Sequence, residues 1–330
     1  MRGRVAILLL CMLVVVVVGA AVPALSAPEC AACGKPIKGD AFHTQGRVYH
    51  SSCFVCEVCD RPITGSYSEQ KGKVYHNDCF LEHVALKCSL CGTVLRGEYL
   101  QDFWGNSYCK RHDGEAPLCD SCGRFISEEL TGGATRYDDG RFICNICKPQ
   151  AMTDIDEILE VVFDVAQRMK KFGMEVDYNG VQIHLVGRDK MQTLSGHHSN
   201  GLRGFTDYRE DWRVFGKSQN RKMHVYLLYG MPRIEIISTV AHELAHVWQF
   251  NHGRFQNERE WAEGSCNYAA YLVLGEYPGR ESSFFRTSLA RDADPVYGEG
   301  FRRVKSLAES EGTRAWLRYL NKTDDFPKGY

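Results

Sequence analysis

Hydrophobic positions follow three different patterns along the chain. The first 26 residues are almost wholly apolar, residues 27–149 have short apolar stretches interrupted by cysteine, and residues 150–330 repeat apolar residues with helical and extended periods. Periods of 3.6 and 2 residues predict helices and strands respectively. We therefore predict a multidomain protein: small cysteine-rich β-hairpin modules followed by an α+β domain over 150–330.

The apolar beginning has the layout of an export signal. Arg2 and Arg4 precede an unbroken apolar run over 5–22, and small residues surround Ser26. This layout predicts a signal peptide over 1–26, cleaved after Ser26. The run is also just long enough to cross a bilayer, so an uncleaved anchor is the alternative, and only then is a membrane a predicted partner. In both cases we expect an exported protein, whether periplasmic, secreted or surface-anchored.

Residues 150–330 alternate helical and extended segments. Thr153 is predicted to cap a helix that ends at Gly173, and alternation predicts strands at 181–186 and 224–229. Proline at position 232 is typical of a helix start, and that helix is predicted to run to about residue 250. The positions predicted to face the core in the first helix are Ile155, Ile158, Leu159, Val162, Phe163 and Ala166.

The other elements of residues 150–330 are predicted from weaker sequence patterns. Asn257 and Glu260 can form a capping pair for a helix that ends at Gly275. Residues 294–310 and 313–321 are also predicted to be helical. Residues 187–223 are polar and glycine-rich, and they predict no regular element.

Charge and cysteine content narrow the function classes. The formal net charge is −1 and no cysteine-rich module carries a basic helix, so nucleic acid is not a predicted partner. Fifteen cysteines in an exported chain would first suggest disulfides. Thirteen of them, however, lie between Cys30 and Cys147, in pairs or with a histidine at pair spacing.

In residues 27–86 the pairs form two sets of four. Two pairs on separate hairpins supply four tetrahedral ligands for one zinc ion. Two sets separated by only Phe54 and Val55 resemble a LIM domain, which implies a protein-binding or regulatory region. The first predicted set is Cys30, Cys33, His50 and Cys53, and the second is Cys56, Cys59, Cys79 and His83.

Residues 87–149 repeat the arrangement with two departures from the LIM pattern. The Cys/His order of the first set is reversed, and six residues separate the two sets. All thirteen cysteines are used and three histidines fill the remaining places, which a disulfide framework would not require. We therefore predict four structural Zn²⁺ ions and modules that need metal to fold. The sets in this LIM-like module are Cys88, Cys91, Cys109 and His112, then Cys119, Cys122, Cys144 and Cys147.

The sequence His-Glu-x-x-His occurs at 242–246 within a mostly apolar helical pattern. Residues four apart share one helix face, so His242 and His246 can bind one metal ion. Glu243 is then the predicted catalytic base for a water molecule. The alternative is a buried helix whose histidines make ordinary hydrogen bonds.

A catalytic zinc needs a third protein ligand and an open position. Glu263, on the next predicted helix, is our candidate, and Glu260 is the fallback. His252 has the metzincin spacing, but that motif also needs Gly where residue 249 is Gln, and a later Met that the chain lacks. The set His242, His246 and Glu263 is the gluzincin arrangement, in which an extended substrate pairs with an edge strand, here predicted at 224–229.

Three further residues are candidates for supporting roles. Asn267, one turn after Glu263, can hold a ligating imidazole. Tyr297 is our candidate catalytic donor to the oxyanion, with a buried structural tyrosine as the alternative. Arg302 can anchor its own segment or a substrate carboxylate. Cys266 is interpreted as a small core residue.

Four motifs resemble the plant organ-size-regulating LIM peptidases, the DA-one family, almost throughout the chain after Cys30. The resemblance implies a zinc peptidase with a regulatory LIM region, the ligands His242, His246 and Glu263, and the base Glu243. The motifs are Gly230-Met231-Pro232-Arg233, Ala241–Trp248, Glu263-Gly264-Ser265-Cys266 and Asp294–Arg302.

Together these patterns predict an exported gluzincin-type zinc metallopeptidase with one catalytic and four structural Zn²⁺ ions. Its partners are a protein or peptide substrate and a protein bound at the LIM region. The main alternative is a LIM scaffold whose peptidase domain has become a binding module. A third possibility is latency, in which the LIM region covers the cleft.

Overall fold

The chain forms two compact units, Met1–Ala85 and Leu86–Tyr330. The predicted signal peptide over 1–26 lies outside the described residues. Within the described part, no helix combines the length and apolar character needed to cross a membrane. The computed structural model describes residues 27–44, 46–196, 198–211, 220–254 and 257–330.

The first unit consists of two antiparallel hairpins and a short helix. In the two hairpins His50 pairs with Ala41, and His76 pairs with Tyr67, so the two histidines occupy equivalent places. Phe54 lies in the small buried core between the hairpins. The elements are β1 (Ala41–Thr44), β2 (Arg47–His50), β3 (Tyr67–Gln70), β4 (Lys73–His76) and α1 (Asn77–His83).

The second unit begins with two more hairpins, which form the LIM-like module. These are antiparallel pairs like those of the first unit, with one short helix between them. The elements are β5 (Leu100–Gln101), β6 (Ser107–Tyr108), α2 (Glu128–Thr131), β7 (Ala134–Arg136) and β8 (Phe142–Cys144).

A three-stranded sheet follows, composed of β9 (Val181–Val186), β10 (Gly204–Asp211) and β11 (Asn220–Leu228). Its order is β10-β11-β9, with β10 antiparallel and β9 parallel to β11. The prediction of an edge strand at 224–229 is therefore wrong, because β11 is the central strand. The edge beside the candidate site is β10, formed by the polar segment for which no element was predicted.

Helices make up most of the remaining chain, and α5 lies at its centre, with twelve of its nineteen residues buried. Pro232 directly precedes α5, as predicted from its helix-opening position. A π-helical turn covers Pro295–Glu299. The helices are α3 (Ile155–Lys171), α4 (Arg188–Ser195), α5 (Arg233–Asn251), α6 (Arg259–Leu274), α7 (Arg280–Arg291), α8 (Gly300–Glu311) and α9 (Thr313–Leu320).

Two details of the helix prediction are corrected. Asp154 rather than Thr153 caps α3, because its carboxylate accepts the N–H of Asp156. Asn257 does not cap α6, because its side-chain oxygen accepts from Arg254 Nε instead. Three of the positions predicted to face the core in α3 are exposed: Ile155, Leu159 and Phe163. The buried side chains of α3 are Ile158, Val161, Val162, Val165, Ala166 and Met169.

The LIM-like module packs against the turn that leads into α5. Arg141 is only 1% exposed and donates to the carbonyl of Tyr229. The Tyr137 hydroxyl donates to the carbonyl of Gly230, and its ring lies where a Cβ on Gly230 would be. Because Gly230 also has φ +71°, glycine is favoured there on both grounds.

Candidate functional site

Within the described residues, four groups of four cysteine and histidine side chains can each hold a metal ion, two such groups in each unit. The ligand atoms of each group lie within 4.8 Å of one another. Thiolate and imidazole ligands in fours are the donor set of structural zinc. The groups are Cys30, Cys33, His50 and Cys53; Cys56, Cys59, His76 and Cys79; Cys88, Cys91, Cys109 and His112; and Cys119, Cys122, Cys144 and Cys147.

One backbone contact recurs in all four groups. The first residue of the second pair donates its N–H to the sulfur of the first cysteine, at 3.3–3.5 Å. This contact ties the two pairs of each group to each other. The donors are His50, His76, Cys109 and Cys144, and their acceptors are Cys30, Cys56, Cys88 and Cys119.

In the second group the histidine ligand is His76, so the prediction of His83 is wrong. His76 ends strand β4, and its Nδ1 lies 3.4 Å from Cys59 Sγ. His83 is at the far end of α1, half-exposed, with Nε2 3.6 Å from Glu82. The signal was present in the sequence, because sixteen residues separate the Cys-x2-Cys and His-x2-Cys pairs in both halves of the LIM region.

A different cluster forms where α5 and α6 pack together. Glu263 Oε2 lies 3.2 Å from His242 Nε2 and 3.3 Å from His246 Nε2. Burial opposes ionisation of Glu263, but the two imidazoles outweigh it and hold the pKa of this carboxyl far below its usual range. The three side chains that were predicted as catalytic ligands are thus brought together, with the carboxyl ionised.

The outer nitrogens of both imidazoles are occupied, which leaves Nε2 to face Glu263. Asn267 Oδ1 lies 2.9 Å from His242 Nδ1, and Cys266 Sγ lies 3.4 Å from His246 Nδ1. Such contacts fix the ring orientation and tautomer of metal-binding histidines. Each imidazole therefore has its own support on α6.

Cys266 is close enough to both histidines to be a ligand itself, since its sulfur lies within 4.8 Å of their nitrogens. Its contact is nevertheless with the outer nitrogen of His246, and Gln249 Nε2 donates to the same sulfur at 3.2 Å. Burial raises the pKa of the Cys266 thiol to about 11, so it remains a neutral thiol at ordinary pH. Glu263 is the better third ligand.

Glu243 lies between the cluster and edge strand β10. Its side chain is buried, and its Oε2 accepts from Thr206 Oγ1 at 2.6 Å. A Cβ on Gly204 would lie 2.5 Å from Glu243 Oε1, so the strand can come this close only with glycine there. The candidate base is thus held directly against the edge of the sheet.

The two alternative ligands are engaged elsewhere. His252 Nδ1 donates to the carbonyl of Trp248 at 2.8 Å, and its ring stacks on that indole with centroids 4.0 Å apart. Glu260 Oε2 accepts from Arg303 Nη1 at 3.0 Å. Neither belongs to the α5–α6 cluster.

Tyr297 lies beside the cluster on the π-helical turn. Its ring centroid is 6.4 Å from that of His242, and its carbonyl accepts from Asn267 Nδ2 at 3.1 Å. Burial and the charge of Glu263 raise the pKa of the Tyr297 phenol, so it stays protonated and can donate. Arg302 donates to the carbonyl of Asp292 and to Glu299, so in this structure it anchors its own segment.

Comparison with known proteins identifies one domain in this chain and several similar proteins. The LIM domain family model matches residues 30–84. Protein DA1 of Arabidopsis thaliana is 23% identical over 91% of this chain and 63% of its own length. This chain is a homologue of the DA1 and DA1-related LIM-domain proteins.

Two other homologues match a shorter part of the chain. Protein DA1-related 2 of Arabidopsis thaliana is 26% identical over 68% of this chain and 54% of its own length. LIM domain-containing protein HDR3 of Oryza sativa is 25% identical over 68% of this chain and 57% of its own length. The chain thus spans less than two thirds of these DA1-type relatives.

In this DA1 homologue the chemistry of the cluster follows from its donors. Two imidazole nitrogens and an ionised carboxylate are the protein ligands of many catalytic zinc sites, which leave one position for water. A second carboxylate, Glu243, lies beside the ligands without being one of them. The arrangement fits a divalent metal and a separate proton acceptor.

Proposed function

We propose that this protein is a zinc-dependent peptidase of gluzincin type, acting outside the cytoplasm. The observation that carries the proposal is the contact of Glu263 Oε2 with the Nε2 atoms of both His242 and His246. It brings together three ligands from two helices, with the base candidate Glu243 on the adjacent helix position. Homology to the DA1 proteins supports the same function.

Zinc held by these three side chains would supply the Lewis acidity that acidifies a water and polarises a peptide carbonyl. Glu243 accepts the proton of the attacking water and passes it to the leaving amine. The hydrogen bond from Thr206 orients the carboxyl of Glu243 for this transfer. Tyr297, which keeps its proton, donates a hydrogen bond to the developing oxyanion.

The substrate is proposed to be an extended peptide that adds to the outer edge of β10. The backbone of an edge strand can bind an extended peptide largely independently of the peptide's side chains. Because β10 touches Glu243 through Thr206 and Gly204, a peptide on that edge lies close to the base. Backbone pairing then aligns the scissile bond.

LIM domains commonly mediate protein–protein interaction, and the one here covers residues 30–84. We propose that this LIM domain binds a protein that is either a substrate or a regulator. The competing hypothesis of a non-catalytic scaffold shares this binding role and differs only in the peptidase cluster. The experiment that separates the two must therefore address Glu243.

The test compares Glu243→Gln with Glu260→Gln, which makes the same chemical change outside the cluster. Both variants and the parent chain are incubated with a proteome-derived peptide library, and new termini are counted by mass spectrometry, with zinc measured in parallel. We expect full zinc in all three, cleavage by the parent and Glu260→Gln, and none by Glu243→Gln. Equal cleavage by Glu243→Gln would refute the mechanism, and no cleavage by the parent would favour the scaffold.

A further inference from the structure

One guanidinium joins three parts of the second unit. Arg203 donates through Nη2 to the carbonyl of Asp120 at 2.5 Å, through Nε to Glu235 Oε1 at 2.7 Å, and through Nη1 to the carbonyl of Asn200 at 3.0 Å. An arginine fork with partners on three sides holds a fixed geometry that a single point charge would not. Asp120 lies in a turn of the LIM-like module, Glu235 lies on α5, and Asn200 lies in the segment just before Arg203.

The hydrogen bond to Asp120 reaches the fourth cysteine group, which is Cys119, Cys122, Cys144 and Cys147. Asp120 lies inside the Cys119-x2-Cys122 pair, and its own N–H and carboxylate both bind the backbone of Phe142 at 2.8 Å. Its other carboxylate oxygen binds Arg188 at 2.7 Å. The carbonyl that receives Arg203 is therefore oriented by the same turn that brings the cysteines together.

The hydrogen bond to Glu235 reaches α5, the helix that carries the His-Glu-x-x-His motif. Glu235 lies in the first turn of α5 and is only 4% exposed. A buried carboxylate that lost its partner would be left uncompensated, so this contact restrains both groups. Arg203 thereby fixes the start of α5 relative to the cysteine group.

The backbone of Arg203 begins the edge strand itself. Its carbonyl accepts the N–H of Leu228 at 2.9 Å, immediately before Gly204 opens β10. Gly204 and Thr206 of β10 both contact Glu243. The cysteine group is therefore connected to Glu243 through the side chain of Arg203 and residues 204–206 of β10.

We propose that Arg203 is a positioning residue that couples the fourth cysteine group to β10. The metal-loaded state of that group then determines how closely the strand lies against Glu243. A turn that carries metal-binding cysteines is ordered by its metal, so loss of metal would release the carbonyl of Asp120 and loosen the fork. The coupling is structural; its effect on catalysis rests on the proposed peptidase function.

The experiment measures amide hydrogen exchange across residues 204–208. Arg203→Gln is compared with the parent chain and with Arg168→Gln, a matched control whose side chain is similarly exposed (22% against 26%) and is ion-paired with Asp164 on α3. A third variant, Cys122→Ser with Cys147→Ser, removes the fourth metal site. Zinc per chain is measured for each.

We expect residues 204–208 to exchange about tenfold faster in Arg203→Gln and in the double cysteine variant, since a charge-assisted contact restrains local opening by that order. Exchange in α3 should not change in either, and Arg168→Gln should leave 204–208 at the parent rate. Arg203→Gln should keep its full zinc content, and any peptidase activity should show a lower kcat.

Three outcomes would overturn the coupling. Unchanged exchange at 204–208 in Arg203→Gln, or faster exchange throughout the unit, would make Arg203 an ordinary structural residue. Faster exchange in Arg203→Gln without an effect of the double cysteine variant would disconnect the metal group from the strand. Because hydrogen exchange needs no substrate, failure of the proposed peptidase function would appear separately, as a parent chain that cleaves nothing.

Discussion

Replacing Gly264 by alanine tests the packing that places Glu263. Helices α6 and α8 cross at Gly264 and Gly300, and a Cβ on Gly264 would lie 2.3 Å from the carbonyl carbon of Gly300. Carbon atoms pack at about 3.5–4.0 Å, so the two helices would have to separate by about 1.2–1.7 Å. The clash is with backbone atoms of Gly300, which cannot move away by a change of rotamer as a side chain can.

The expected loss of stability follows from two opposing effects. Overpacking a rigid site costs about 3 kcal/mol, at the upper end of the usual range. Alanine in a helix interior regains about 1 kcal/mol relative to glycine, which leaves a net loss of about 2 kcal/mol. For a domain of this size, that corresponds to a fall in Tm of about 4–8 °C.

Thermal unfolding measured by circular dichroism provides the assay, with zinc content measured beside it. Gly201→Ala is the control in the same unit, because its Cβ would meet only a side-chain oxygen at an ordinary 3.4 Å. We expect Gly201→Ala to unfold like the parent chain. A Gly264→Ala variant that also unfolds like the parent would refute the close crossing of α6 and α8.

Four further substitutions give distinct outcomes. His76→Ala should lose one zinc per chain while His83→Ala keeps all, which elemental analysis distinguishes. Asn267→Ala should weaken zinc binding about 10–100-fold, since it frees the outer nitrogen of His242; competition with a chelator measures this. Tyr297→Phe should lower kcat about 10²–10³-fold with little change in KM. Because the pKa of this phenol is raised, deprotonation should impair the parent enzyme only above about pH 10.

Each of these outcomes has a clear opposite. Zinc loss in His83→Ala alone would restore the ligand first predicted from the sequence. Unchanged zinc affinity in Asn267→Ala would mean that packing alone orients the imidazole. Full activity in Tyr297→Phe would leave that tyrosine a structural residue, the alternative considered from the sequence.

The candidate site was largely predictable because its signals are local. The i, i+4 spacing of His242 and His246 fixes their common face without knowledge of the fold. Glu263 could be preferred because His252 failed on simple grounds, such as the missing glycine at position 249, while Glu260 stayed open as the fallback. The cysteine pairs were likewise identified from spacing alone.

The sequence predictions were wrong where contacts between residues distant in the sequence determine the structure. His83 was chosen although the sixteen-residue spacing shared with the first group favours His76, and the register of the β3–β4 hairpin brings His76 to the group. Strand β10 was missed because its polar sequence becomes extended by pairing with β11, which lies later in the chain.

The orientation of α3 shows the same limit. Both Leu159 and Val161 lie on apolar stripes, and nothing local tells which stripe meets the core. Tertiary packing buries Val161 and leaves Leu159 exposed. Periodicity therefore predicted the helix correctly and its buried face only in part.

The most direct test of a catalytic metal centre is the zinc content of the purified protein and of the His242→Ala, His246→Ala double variant. Elemental analysis should give five zinc ions per parent chain and four per variant chain, since the variant loses only the α5–α6 cluster. Four in both would contradict a metal site at that cluster and favour a LIM scaffold without peptidase chemistry.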